Sequence, residues 1–245
     1  MPTETHDAPA AEQIRRVRAD AASLCQVVAA SDLPAGLVVV DLGHPPGDLQ
    51  GVAIGSGHAF AEWAGDRLGR QGVGVAVGHL LELCQSQKCT ECLQPMVEGV
   101  ALHEAAHIIW GTDEIDAEHI GRIMADLAPA ATANTEPAKR GRDHDVKWAA
   151  TLTVLAARAM PYRPGSADML TICVSSDLAA HGYSHDALLQ VIGPVRSTAS
   201  LRDLLDPSGI LHRSLLSAQL HYQRPLKPQA TTQHGAVLAA CASPR

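Results

Sequence analysis

The sequence predicts an α+β fold in which a small N-terminal sheet precedes a mainly helical chain. Three observations carry that reading. Short β-branched runs bounded by turn residues lie in the first third, and apolar residues recur at helical spacing through most of the remainder. A chain of 245 residues that is 46% hydrophobic can also bury a substantial core.

The elements follow in order. Residues 8–30 read as a helix, with Ile14, Val17, Ala21, Leu24, Cys25 and Val28 at helical spacing until Ser31-Asp32-Leu33-Pro34 breaks the run. GLVVVDL, from Gly36 to Leu42, ends in the turn-rich HPPGD and reads as a strand. Gly51 to Ile54 is a second strand, expected to pair with the first as a hairpin. HAFAEWAGDRLG reads as a helix, and GVGVAVGHLLELC as a strand followed by a helical turn. From Pro95 the chain is helical and apolar on nearly every face, which means buried, and Gly111 is placed to end that helix. A further helix is expected from about Asp116 to Leu127, then a polar loop. Residues 146–160, 166–180, 185–192, 199–205 and 208–220 favour helix, and the tail after Pro225 is irregular. The organisation expected is residues 1–130 with the first helix, the sheet and the buried helix, 131–225 as a helical half, and 226–245 as a tail.

Charge and composition exclude some functions. With 26 acidic against 19 basic residues the net charge is −7, which argues against a broad surface for nucleic acid or anionic membranes. Aromatic platforms for base stacking are scarce, with one Phe, three Trp and three Tyr. The N-terminus lacks a basic segment followed by an apolar one, and the longest apolar runs fall short of the roughly 20 residues that span a bilayer. A soluble, cytoplasmic protein is expected.

The stretch Val100 to Thr112, VALHEAAHIIWGT, places two histidines and a glutamate in the apolar helix. His103 and His107 are four apart, so both rings project from one face and can grip one ion. Glu104 is turned about 100° round the axis, where it can reach activated water without being a ligand. Metal-assisted hydrolysis needs that division: the ion acidifies water and polarises a carbonyl, while the carboxylate moves the proton. Chance gives roughly 0.03 occurrences of H-E-x-x-H in a chain of this composition. The bland alternative, satisfied core histidines, is therefore the weaker reading.

His103-Glu104-Ala105-Ala106-His107 resembles the active-site helix of the zincin metallopeptidases. That resemblance implies a zincin-like domain, zinc bound by both histidines, and Glu104 as general base. A catalytic zinc takes three protein ligands and keeps one open position. Asp113 is a candidate third ligand, although Gly111 and Trp110 depart from the metzincin pattern. Glu118 follows His107 closely for a residue on a separate helix, and Glu136 sits in a loop-like stretch. His144 is the preferred choice, at the mouth of a helix beginning near Val146. His144-Asp145-Val146-Lys147-Trp148 resembles the H-G-x-x-[FW] segment that supplies the third histidine in SprT-like and related minimal zincins, with Asp145 in place of the glycine. Asp143 or Asp145 either orients a ligand ring or caps the helix.

Cys84, Cys89 and Cys92 with His79 have the composition of a structural Cys3His site, but unliganded thiols are the favoured reading, with a redox disulfide the least favoured. His181 and His185 are also four apart, but Ser184 is a natural N-cap between them, so their rings are not expected to share a face. Tyr183 has the chemistry of an oxyanion donor and nothing further to recommend it. The expectation is a zinc-dependent peptidase acting on a peptide or protein substrate, with His103, His107 and His144 as ligands and Glu104 as base. Its rivals are a non-catalytic protein with a structural or partner-binding metal site, and a zinc hydrolase of a non-peptide amide.

Overall fold

The computed structural model describes residues 7–29, 32–33, 37–43, 50–54, 72–110, 144–192 and 200–201. Helix α1 spans Asp7–Ala29, strands β1 and β2 span Val38–Asp41 and Gly51–Ile54, and β3 spans Gly72–Val75. Four longer helices and one short one follow: α2 (Val77–Ser86), α3 (Leu93–Trp110), α4 (Val146–Ala159), α5 (Ala167–Ala180) and α6 (His185–Ile192). Single 3-10 turns lead into α3 and out of α4. The described chain is thus helix-rich with a small mixed sheet.

The sheet order is β1-β3-β2, with β1 parallel and β2 antiparallel to β3. The expected β1–β2 hairpin is therefore wrong: the Gly-Val alternation of β3 is inserted between them. β3 is buried along its whole length, as a central strand must be, and β2 is an outer strand of the described sheet. Arg18 Nε donates to the Val39 carbonyl at 2.8 Å and holds α1 against β1.

Helix α3 is the centre of the described fold. Pro95 lies in its first turn, where a missing N–H costs nothing. Val97, Ala101, Leu102, Ala105, Ala106 and Ile109 are all buried, so every side of the helix is covered. α1, α4, α5 and strands β2 and β3 supply that cover. Small residues permit close approach: a Cβ built on Gly99 would lie 3.1 Å from Cys173 Cβ on α5. Trp148, Leu102, Leu152, Leu155 and Leu170 are fully enclosed, each large side chain worth about 1.5–3 kcal/mol of transfer free energy. No helix among the described residues is long and apolar enough to cross a membrane.

Candidate metal centre

The helical period brings His103 and His107 to one side of α3, one turn apart. His144 arrives from the turn just before α4, whose start is fixed by its own sequence. Asp145 is the N-cap, its Oδ1 accepting from the backbone N–H of Lys147 at 2.8 Å and of Trp148 at 2.9 Å. Capping, rather than orienting a ligand ring, is therefore what Asp145 does.

The three Nε2 atoms converge, with His103–His107 at 3.2 Å, His107–His144 at 3.3 Å and His144–His103 at 3.1 Å. All three histidines are close enough to share one metal ion. Zinc–imidazole bonds of 2.0–2.1 Å at tetrahedral angles set nitrogen–nitrogen edges of about 3.3 Å, so the donor set fits such an ion. The chemistry agrees with the spacing. Three neutral rings facing one another would oppose their lone pairs, and a cation or a proton between them removes that repulsion.

Asp177 on α5 fixes the tautomer. Nδ1–H of His103 donates to its Oδ2 at 2.6 Å, which turns Nε2 toward the centre, where it can hold either a proton or a metal ion. Asp177 is only 4% exposed, and although burial opposes its charge, the contact with His103 holds its carboxyl below the usual range. For His103, burial pulls the pKa down, but Asp177 and then Glu104 outweigh it and lift the value to about 9. Burial, reinforced by positive charge on His103 and His181, drives His107 and His144 down to about 2. Both are therefore neutral and ready to donate lone pairs at physiological pH.

Glu104 is buried and lies beside the triad, its Oε1 3.8 Å from His103 Nε2. It rests against Gly51, the first residue of β2. Trp148 forms the floor, its ring centroid 4.8 Å from that of His103 and 4.5 Å from that of His144.

No known protein family, curated protein or solved structure matches this chain. The site therefore has to be read from its own geometry.

Several candidates are placed differently from the sequence reading. Cys89 and Cys92 form a disulfide, which removes both thiolates, while Cys84 is a buried free thiol 3.7 Å from the Met96 sulfur and His79 is exposed. The favoured reading of unliganded thiols therefore fails for Cys89 and Cys92 and holds for Cys84, and the Cys3His alternative is not formed; burial pushes the Cys84 thiol up to about 11, further from a ligand's thiolate. Tyr183 is not aimed at a substrate carbonyl: its hydroxyl donates to the backbone carbonyl of His144 at 2.9 Å. Ser184 does cap α6, accepting from Ala187 N–H at 3.4 Å, and His185 turns away to meet Ser175 Oγ at 2.9 Å. His181 instead stacks on His144, ring centroids 3.7 Å apart and planes 15° from parallel. Sequence reasoning missed Asp177 on α5 and set His181, the C-cap of that helix four residues on, aside as half of a chance pair with His185. An aspartate inside the apolar run Met169–Ala180 was the available signal. Asp113, Glu118, Glu136 and Asp143 lie outside the described residues.

Proposed function

We propose that the protein is a zinc-dependent metallopeptidase of zincin type. The observation that carries this reading is the carboxylate of Glu104 beside three convergent imidazole nitrogens, its Oε1 3.8 Å from Nε2 of His103. His103, His107 and His144 would hold the metal, and Glu104 would stay outside the ligand set. A bound zinc supplies a Lewis acid that acidifies water and polarises a carbonyl. Glu104 Oε1 would take the proton of the attacking water and return it to the leaving nitrogen. Its buried setting beside Gly51 limits competing hydration of the carboxylate.

Two features support a polypeptide substrate. Among the described strands β2 is an outer one lying against α3, and an extended chain laid beside it would pair with its backbone. The first residue of that strand touches the proposed base, so a segment paired there would pass close to Glu104.

Elemental mass spectrometry and hydrolysis of a peptide library test the reading together. One zinc per chain is expected, and Glu104→Gln should retain it while losing about 10²–10⁴-fold in kcat. A parent protein holding zinc without cleaving any peptide would replace the proposal with a structural or partner-binding site. Turnover of small amides alone would indicate a non-peptide amidohydrolase.

A further inference from the structure

We propose that Asp177 is a positioning residue that orients two rings of the triad at once, His103 by hydrogen bond and His144 through His181. The inference rests on the metal-centre reading above and extends it to residues on α5. Asp177 is only 4% exposed, so its carboxylate is costly unless its oxygens are used. Both are directed at histidines. Oδ2 accepts from His103 Nδ1–H at 2.6 Å, and Oδ1 lies 3.6 Å from His181 Nε2.

The second arm acts through ring contact. His181 lies flat on His144, while Trp148 meets His144 edge-on at an interplanar angle of 89°. One face of the His144 ring is therefore covered and its rotation is restricted. The end of α5 sets this up: Gly182, at φ 85°, lets Tyr183 N–H return to the Leu178 carbonyl at 2.9 Å while Gly182 N–H reaches Ala179 at 3.0 Å. This is a Schellman closure, and it fixes His181 on one side of His144 and the Tyr183 hydroxyl on its carbonyl. A single helix end thus holds the third ligand's ring and backbone, and the first ligand's tautomer.

The test measures zinc affinity of the full chain by competition with a chromophoric chelator, together with the visible spectrum of the cobalt-loaded protein. The set is the parent, Asp177→Asn, His181→Ala and His181→Phe. Asp177→Asn should weaken zinc binding by about 10- to 100-fold and alter the cobalt bands. His181→Ala should show a smaller loss, and His181→Phe, which keeps a flat ring on His144, should recover most of it. The melting temperature of each metal-free variant separates lost orientation from lost folding, and the partly exposed His181 carries the test if Asp177→Asn does not fold. Parent-like affinity and cobalt spectrum in Asp177→Asn would overturn the proposal while leaving the metal centre intact. A parent-like His181→Ala would overturn the arm through His144. A parent that binds neither zinc nor cobalt would overturn both this inference and the reading beneath it.

Discussion

Gly51 leaves no room for a methyl group beside Glu104: an added Cβ would come within 2.6 Å of Oε1 and 2.9 Å of Cγ. The backbone at Gly51 is not in the left-handed region, so the demand for glycine is steric. Gly51→Ala should push the carboxylate away from the triad. Displacement of a reacting group by about 1 Å costs about 10²-fold in rate. Peptidase kinetics alongside zinc stoichiometry would check this, the expected outcome being lost turnover with full metal content.

The stability of the metal-free protein should peak near pH 6.5. His103 has a folded pKa of about 9, above its unfolded value of 6.5, so its contribution is complete below 6.5 and is lost as pH rises through 9. His107 and His144 are depressed to about 2, so between 6.5 and 2 the unfolded chain binds two more protons at these positions and stability falls as pH falls. Melting temperatures of zinc-free protein from pH 4 to 9.5 would test the shape. Excess zinc should flatten the alkaline limb, because the ion replaces the proton on His103.

Tyr183→Phe should cost about 0.5–1.5 kcal/mol, the lower range for a lost hydrogen bond, because His144 is only partly buried and water can reach its carbonyl. Denaturant midpoints with an unchanged slope would report it. If the three histidines hold zinc as proposed, its affinity should drop as well, since the hydroxyl anchors the backbone of His144.

Glu98 is fully buried on α3, where its Oε1 accepts from Arg163 Nε at 2.7 Å and from Gln94 Nε2 at 2.6 Å. Burial nevertheless holds its pKa above the usual carboxylate range. Arg163→Met would strand that charge and should destabilise by about 3–5 kcal/mol. The loss should shrink in acid, where the carboxyl protonates, and should be partly recovered by adding Glu98→Gln. Chemical denaturation at two pH values distinguishes these outcomes.

Much of the site was legible because its signals are local. The four-residue spacing of His103 and His107 is a helical face, and Asp145 before the apolar run at Val146 is a cap, so both short segments could be read without knowing their partners. Long-range pairing was not legible in the same way. The Gly-Val alternation of β3 specifies a strand but not that it enters between β1 and β2. Asp177 and His181 share a helix face by spacing, yet only packing shows that this face meets the triad. Cys89 and Cys92 have a spacing that serves a metal and a disulfide equally well, so residue type alone did not decide between them.

Helix α3, enclosed on every side, also bears on how the protein can evolve. Residues 97–109 have almost no solvent-facing position at which substitutions accumulate harmlessly, so random changes there should remove folded protein before they retune chemistry. Changes in what the site accepts would have to come from the flanking strand β2, while the central rod is inherited nearly unaltered.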